Sequence, residues 1–328
     1  MKKYTLKKSI FQKEPQKSAR QFQVDYQNEL NPAQYGAVTS VNGPHLIIAG
    51  AGTGKTRTIV FRVAYLVELG VRPESILLLT FTRKAAQEML RRATSILDSR
   101  CEKVAGGTFH SFANMILRRY APLIGFDPAF TILDQSDAED VVNLLRTQLR
   151  LDKRKRRFPK KQLLYTLFSR SVNTQETIKD ILTEDYPQYL QELETIQQLH
   201  ERYNEYKRQY NLMDYDDLLV HLKTLLEKNK KVCDELAGRY KYIMVDEYQD
   251  TNRIQADIAD LLASKHRNLM VVGDDSQSIY SFRGATIRNI LEFPDRYEDC
   301  NMITLEENYR STQPVLNVAN EILKRGRE

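Results

Sequence analysis

Tryptophan is absent from the 328 residues, and cysteine and histidine are scarce, with three and five copies. The cysteines, Cys101, Cys233 and Cys300, lie far apart in the chain, so neither a disulfide framework nor a zinc cluster is indicated. The histidines show no metal-ligand spacing either. We therefore expect a protein of a reducing, cytoplasmic compartment.

Long apolar runs are also missing. None approaches the roughly 18 residues that a membrane span needs, and no apolar segment follows the lysine-rich start, so we expect no membrane association and no secretory signal. Residues 1–25 are predicted to form a basic, disordered tail. With 41% hydrophobic and 28% charged residues, the composition is typical of a globular protein. The net charge of +6 suits a polyanionic partner without requiring one.

Short runs of valine, isoleucine and leucine predict the strands of a buried parallel sheet. Five of them cover residues 45–49, 75–82, 242–246, 269–273 and 302–305, with a sixth, weaker candidate at 103–108. Helical patterns separate several of these runs, and this alternation is typical of an α/β domain whose parallel β-sheet is flanked by helices.

One long stretch interrupts the alternation. Nearly all of residues 113–236 show a helical pattern, which predicts an inserted all-helical subdomain. Within it, the run "LDKRKRRFPKK" is dense in lysine and arginine. Such a run is either a solvated loop or a contact to a polyanion, and the sequence leaves both interpretations open.

The strongest motif is "IIAGAGTGKTRT", in which a strand leads through a glycine-rich loop into a helix. Glycines allow backbone N–H groups to turn towards phosphates, and the helix N-terminus adds the positive end of its dipole. Lys55 is predicted to reach the β- and γ-phosphates, and Thr56 to hold Mg²⁺. The nucleotide-binding candidates here are Ala49, Gly50, Ala51, Gly52, Thr53, Gly54, Lys55, Thr56 and Arg57.

A second motif, "YKYIMVDEYQD", delivers Asp246 and Glu247 to the carboxyl end of a strand, where ligands bind in open α/β sheets. Asp246 is predicted to hold Mg²⁺. Glu247 points elsewhere and is predicted to act as the general base towards water. The predicted helical insertion separates this motif from the glycine loop, which argues against a small nucleotide kinase and favours a nucleotide-driven motor with an added arm.

Together these motifs resemble the UvrD/Rep/PcrA-type superfamily-one DNA helicases, over a stretch from about Leu30 almost to the last residue. The resemblance rests on seven motifs in order: "LNPAQYGAV", "AGAGTGKT", "TFTRKAAQEM", "GTFHSFA", "VDEYQDTN", "GDDSQSIYSFRGA" and "LEENYRST". It implies a RecA-like P-loop NTPase that uses ATP and Mg²⁺ for 3′→5′ translocation on single-stranded DNA. The implied domains are residues 26–112 with 237–290 (RecA-like), 113–236 (helical insertion) and 291–328 (start of a second RecA-like domain).

On the nucleotide side, the resemblance implies that Gln34 reads the adenine edge, since an amide offers both a donor and an acceptor. Tyr309 would stack on adenine and Arg310 would reach the γ-phosphate. Gln277 would sense the γ-phosphate and relay its presence to the DNA side.

On the DNA side, the resemblance implies a path lined by Phe81, Thr82, Arg83, His110, Tyr280, Phe282 and Arg283. Phe282 would offer a stacking face to a base, worth about 1–3 kcal/mol. Many relatives have asparagine in place of Arg83 and tryptophan in place of Phe282, so the stacking surface is expected to be smaller here.

The leading hypothesis is a DNA-dependent ATPase and helicase acting on single-stranded DNA and on single/double-strand junctions, in repair or replication. One alternative is the motor portion of a recombination helicase–nuclease, and another is a non-catalytic ATP-dependent DNA-binding switch, against which Glu247 argues. After Arg310 the sequence has room for one helix, and nothing visible in it would hold this arginine at the γ-phosphate. We therefore expect a fragment that unwinds DNA poorly. The segment "DYDDLL" recurs in the family, and its acids are expected only to cap a helix.

Overall fold

A six-stranded parallel sheet forms the centre of the protein, in a computed structural model that describes residues 22–151, 158–274 and 288–325. The strand order is β3-β2-β6-β7-β1-β8. These strands are β1 (His45–Ala49), β2 (Ile76–Thr80), β3 (Ala105–Thr108), β6 (Tyr242–Val245), β7 (Leu269–Gly273) and β8 (Asn301–Leu305). A separate two-stranded sheet pairs β4 (Thr131–Ile132) with β5 (Leu212–Met213). The predicted α/β class with a parallel sheet is confirmed.

Helices flank the sheet and fill the long interval between β3 and β6. They are α1 (Tyr26–Glu29), α2 (Pro32–Thr39), α3 (Lys55–Glu68), α4 (Arg83–Ile96), α5 (Phe109–Tyr120), α6 (Gln135–Gln148), α7 (Lys161–Thr174), α8 (Ile178–Asp185), α9 (Leu193–Gln209), α10 (Tyr215–Lys228), α11 (Lys230–Arg239), α12 (Arg253–Ala263), α13 (Arg288–Leu291), α14 (Phe293–Arg296) and α15 (Gln313–Arg325). Among the described residues, no helix is both long and apolar enough to cross a membrane.

Two hydrophobic layers sandwich the sheet. Successive strand residues point to opposite faces, so Leu77 and Leu79 of β2 join one buried cluster while Ile76 and Leu78 join the other. The first cluster is completed by apolar side chains of α5, α10, α11 and α12, and the second by those of α3 and α4. This double coverage is why the strands appear in the sequence as uninterrupted apolar runs.

The helical interval has a hydrophobic core of its own. Buried apolar residues from Leu133 to Tyr203, in and around α6 to α9, form this third cluster. The predicted boundaries of the insertion, residues 113 and 236, fall inside α5 and α11, which pack on the sheet instead. We propose a division into domains in which the inserted subdomain comprises only the segment that surrounds this third core.

The last strand belongs to the same sheet. β8 pairs with β1 along its whole length, from His45 opposite Asn301 to Ala49 opposite Leu305. The segment 291–328, predicted to begin a second domain, therefore includes an edge strand of the first sheet. The predicted site residues Gln277, Tyr280, Phe282 and Arg283, the tail 1–21 and residues 152–157 of the basic run lie outside the described residues.

Candidate nucleotide and DNA site

The phosphate loop, residues 49–56, connects the end of β1 to the first turn of α3. Gly52 and Gly54 have φ angles of +81° and +90°, a conformation that residues with a side chain rarely adopt. A Cβ on Gly52 would lie 2.7 Å from the Cβ of Arg310, and one on Gly54 would lie 2.6 Å from Nε2 of Gln34. Both positions therefore require glycine, for conformation and for space.

Gln34 supports this loop from α2. Its Nε2 donates to the carbonyl of Thr53 at 3.1 Å, and its Oε1 accepts from the N–H of Asn31 at 3.3 Å. The side chain is 1% exposed. A glutamine amide has two donors and two acceptor sites, so one of each remains for a ligand such as adenine.

Arg57, the remaining candidate of this motif, lies beside the loop on α3 and is tied to α1. Its guanidinium pairs with the carboxylate of Glu29 at 2.7 Å and lies 4.6 Å from the ring centroid of Phe61. These contacts orient the exposed arginine next to Gly54, whose hypothetical Cβ would contact the Cβ of Arg57 at 3.8 Å.

Lys55 and Glu247 face each other across the site. The Lys55 Nζ lies 3.2 Å from Oε2 of Glu247, as an ion pair without hydrogen-bond geometry, so the buried ammonium has no hydrogen-bond acceptor among the described residues. Glu247 also accepts a hydrogen bond from Nε2 of Gln249 at 2.8 Å. Its φ of +50° is in the left-handed region, which costs a non-glycine residue about 1–2 kcal/mol. Such strain is typical of functional sites.

Asp246 directly follows β6 and is buried beside Glu247. Its N–H donates to the carbonyl of Leu79 at 2.9 Å, whereas its carboxylate Oδ1 has no hydrogen-bond partner among the described residues. Burial, and secondarily the charge of Glu247, raises the pKa of Asp246 to about 7. A cation would compensate both effects. An orphaned carboxylate with the hydroxyl of Thr56 in the same cavity fits Mg²⁺, which is usually held by one or two carboxylates together with water and phosphate oxygens.

One cavity of about 670 Å³ joins these groups. Thr56, Asp246, Glu247 and Arg310 all line it. The fold thus brings together four residues that lie far apart in the chain and were all predicted for the nucleotide site.

The backbone around Arg310 is tied to the phosphate loop by hydrogen bonds that the sequence did not reveal. The N–H of Tyr309 donates to the carbonyl of Gly52 at 2.9 Å, and Nδ2 of Asn308 donates to the carbonyl of Ala51 at 2.5 Å. The Oδ1 of Asn308 accepts from the N–H groups of Arg310 and Ser311. Sequence reasoning missed Asn308. The available signal was an amide, able both to donate and to accept, directly before two predicted site residues.

Tyr309 stands at the adenine side of the loop. Its hydroxyl accepts from Nδ2 of Asn31 at 2.9 Å and donates to Glu307 at 2.6 Å, while 62% of the residue is exposed. Asn31 also caps the helix that carries Gln34. The two residues predicted to contact adenine are therefore connected through one asparagine.

A second cavity, of about 640 Å³, carries the predicted DNA side. Phe81 and His110 line it together with Asp246 and Glu247. Phe81 is 41% exposed and lines both cavities. Thr82 caps α4 by accepting from the N–H of Ala85, and Arg83 is exposed in the first turn of that helix. Phe81 is thus an exposed aromatic side chain that lines both cavities.

His110 has an aromatic neighbour that the sequence did not reveal. Its ring lies 6.0 Å from that of Tyr215 at an interplanar angle of 85°, and burial lowers the pKa of the imidazole. Tyr215 belongs to the "DYDDLL" segment and is 49% exposed. The first acid of that segment, Asp214, caps α10 as expected.

Asp250 is a further acid of the site that was not predicted. It lines both cavities, and its Oδ1 is buried without a hydrogen-bond partner among the described residues. Burial, followed by the charge of Glu247, raises the pKa of Asp250 to about 6. The signal in the sequence was its position three residues after Glu247, at the end of a short turn.

Comparison with known proteins places this geometry in a family. The sequence profile of the UvrD/REP helicase N-terminal domain matches residues 30–298. The chain is 41% identical over 305 residues to the ATP-dependent DNA helicase PcrA of Staphylococcus aureus, covering 92% of this chain and 40% of that protein. It is 40% identical over 303 residues to PcrA of Staphylococcus epidermidis, covering 91% and 40%. The chain thus spans about 40% of the length of these curated relatives.

Proposed function

The chain belongs to the UvrD/REP helicase family, and on this premise we propose that it provides the first motor domain of an ATP-dependent 3′→5′ DNA helicase. ATP hydrolysis would drive movement along single-stranded DNA, in the cytoplasm and in DNA repair or replication. The observation that carries the proposal is the pair of adjoining cavities. They share Phe81, Asp246 and Glu247, so a nucleotide and a DNA strand would contact the same short segments.

ATP binding would rearrange the ion pair between Lys55 and Glu247. The phosphates carry more negative charge than one carboxylate and accept hydrogen bonds from the loop N–H groups as well. Lys55, which has no hydrogen-bond acceptor among the residues that the structure describes, would therefore turn to the phosphates. Glu247 loses its cation and becomes available to accept the proton of the attacking water. Lys55 would thus restrain the base until nucleotide is bound.

Asp246 and Thr56 would hold Mg²⁺, which supplies positive charge at the β- and γ-phosphates. Arg310 lines the same cavity and would stabilise the negative charge that develops on the γ-phosphoryl group. Asn308 donates to the phosphate loop and accepts from the N–H groups of Arg310 and Ser311. The binding of phosphate in the loop would therefore be linked to the position of Arg310. Gln34 and Tyr309 would contact adenine, and Arg57 would lie beside the loop.

Phe81 would stack on a base of single-stranded DNA, flanked by Thr82, Arg83 and His110. Gln277, Tyr280, Phe282 and Arg283 complete this surface in the proposal, on the family resemblance. A strained, ion-paired Glu247 beside the phosphate loop favours a hydrolytic motor over a non-catalytic switch, since a switch has no need of a base held at this energetic cost.

Fluorescence anisotropy with a labelled oligothymidine tests the DNA side. Stacking of one base is worth about 1–3 kcal/mol, so Phe81→Ala should weaken binding about 5- to 150-fold. Tyr210→Ala is the matched control, because Tyr210 is an exposed aromatic of the insertion, 55% accessible, that lies outside both cavities. Equal affinities of the wild-type and Phe81→Ala proteins would refute the proposed DNA surface.

A further inference from the structure

A polar bridge connects the nucleotide-site segment with the helical insertion. Nδ2 of Asn252 donates to Oδ1 of Asn173 at 2.6 Å, and Nδ2 of Asn173 donates to Oδ1 of Asp216 at 2.8 Å. Asn252 precedes α12 on the sheet side, Asn173 lies in the last turn of α7, and Asp216 lies in the first turn of α10. We call these three residues the asparagine bridge.

The direction of each hydrogen bond is fixed by its neighbours. The Oδ1 of Asn252 accepts from the N–H of Gln255 at 2.9 Å, so its Nδ2 must face Asn173. The Nδ2 of Asn173 also donates to the carbonyl of Ser169 at 2.8 Å, so its Oδ1 must face Asn252. Carbonyl and carboxylate oxygens cannot donate, and therefore neither amide can be reversed without losing bonds.

The bridge is more than a helix cap. Asn252 and Gln255 already form a complete capping box for α12. The additional bond to Asn173 therefore contributes a link between two hydrophobic cores. On one side α7 is anchored in the core of the insertion by Leu164 and Leu167, and on the other α12 is anchored on the sheet by Ile254.

Asn252 is only five residues after Glu247, at the end of a segment with several cross-links. Within that segment, Gln249 donates to Glu247 and accepts from the N–H of Asp274 at 3.0 Å. The carbonyl of Thr251 accepts from Nδ2 of Asn289 at 2.9 Å. A displacement of Asn252 would therefore be transmitted to the base.

We propose that Asn173 is a positioning residue through which the helical insertion controls the orientation of Glu247. Asn173 and Asp216 also line the cavity that contains Phe81 and His110, so a DNA strand bound there would contact the bridge directly. The bridge thereby links occupancy of the DNA side to the geometry of the base. This inference rests on the proposed hydrolysis of ATP at Glu247.

The first test separates catalysis from binding. In Asn173→Ala the rate of ATP hydrolysis at saturating ATP should fall about five- to tenfold, as expected when the hydrogen bond that holds Asn252 is lost. The dissociation constant for Mg²⁺–ATP should stay within about twofold, because Asn173 does not line the cavity that contains Thr56 and Arg310. The control is Asn143→Ala, in the insertion, where Asn143 accepts from Arg146 of its own helix.

Exchanging the amide of Asn173 with the carboxylate of Asp216 tests whether the bridge can be restored. Asn173→Asp alone places two carboxylates against each other and should be as impaired as Asn173→Ala. In the double variant Asn173→Asp/Asp216→Asn, the new amide donates to the new carboxylate, which still accepts from Asn252. Turnover should then recover in part, because the bond from Asn252 is restored while the bond to the carbonyl of Ser169 is not. A purely structural role would leave turnover unaffected or would lower turnover and ATP affinity together.

Hydrogen exchange of the backbone amides of residues 248–255 provides a readout that needs no turnover. Asn173→Ala should speed their exchange about fivefold, the double variant Asn173→Asp/Asp216→Asn should reverse part of this increase, and Asn143→Ala should not change the exchange rate. If the wild-type protein hydrolyses no ATP, the proposed function is refuted. The hydrogen-exchange result then tests by itself whether Asn173 positions the segment that carries Glu247. Unchanged exchange in Asn173→Ala, or no recovery in the double variant, would overturn the inference.

Discussion

Replacement of Gly54 by alanine tests the geometry of the phosphate loop. At a φ of +90° an alanine is strained by about 1–2 kcal/mol. Its Cβ would also lie 2.6 Å from Nε2 of Gln34, a buried group that cannot withdraw without releasing the carbonyl of Thr53. Overpacking of this kind adds about 1–3 kcal/mol. We therefore expect Gly54→Ala to lower the free energy of unfolding by about 2–5 kcal/mol.

Gly43 is the matched control for this prediction. Its φ of +87° is nearly the same, yet a Cβ there would meet no atom within 4 Å. Gly43→Ala should therefore show only the conformational strain, about 1–2 kcal/mol. The difference between the two variants isolates the contact between the loop and Gln34.

Urea denaturation and ATP calorimetry measure the two consequences. Gly54→Ala should be the less stable variant and should bind ATP at least about tenfold more weakly, because displacement of the loop N–H groups removes phosphate contacts. Gly43→Ala should bind ATP within about twofold of wild type. Equal stability and equal ATP affinity of the two variants would refute the geometry derived for the loop.

Two further predictions concern single side chains. Lys55→Ala should abolish ATP binding measured by calorimetry, because it removes the one lysine of the phosphate loop, and unchanged affinity would contradict the assignment. Burial, aided by the charge of Arg62, lowers the pKa of His45 from 6.5 to about 4, so the unfolded chain binds this proton more tightly. The contribution of His45 to the free energy of unfolding is then complete above pH 6.5 and is lost towards pH 4, by up to about 1.4 kcal/mol per pH unit. In His45→Gln this acid sensitivity should be smaller when unfolding is followed by urea titration between pH 7 and 5, and an equal loss in both proteins would contradict it.

The sheet could be predicted from the sequence because parallel strands buried on both faces are continuous apolar runs. All six predicted strands exist, and none of their ends differs from the prediction by more than two residues. β2 begins at Ile76 because Pro73–Ser75 forms a short 3₁₀ turn before it. The boundaries of the insertion were harder to derive, because α10 and α11 have the same helical pattern as α6 to α9 and only packing shows which core they join.

The residues that sequence reasoning missed are polar partners distant in the chain. Asn308 contacts the phosphate loop, and Asn173 contacts Asn252, through single amides that leave no periodic signal. Motifs instead predicted Lys55 and Glu247, whose spacing and neighbours carry chemical meaning. A hydrogen bond between two segments that are distant in the chain depends on the whole fold, and no local pattern contains it.

Single-turnover hydrolysis of ATP by the wild-type chain and by Glu247→Gln tests the central claim most directly. Glutamine keeps the size of the side chain and can still accept the hydrogen bond from Gln249, but it cannot take up the proton of the attacking water. Removal of a general base lowers the rate about 10²–10⁴-fold. We predict that wild type hydrolyses bound ATP, and that Glu247→Gln binds ATP within about twofold of wild type while its hydrolysis falls by at least about 100-fold. Equal hydrolysis rates in the two proteins would contradict the account.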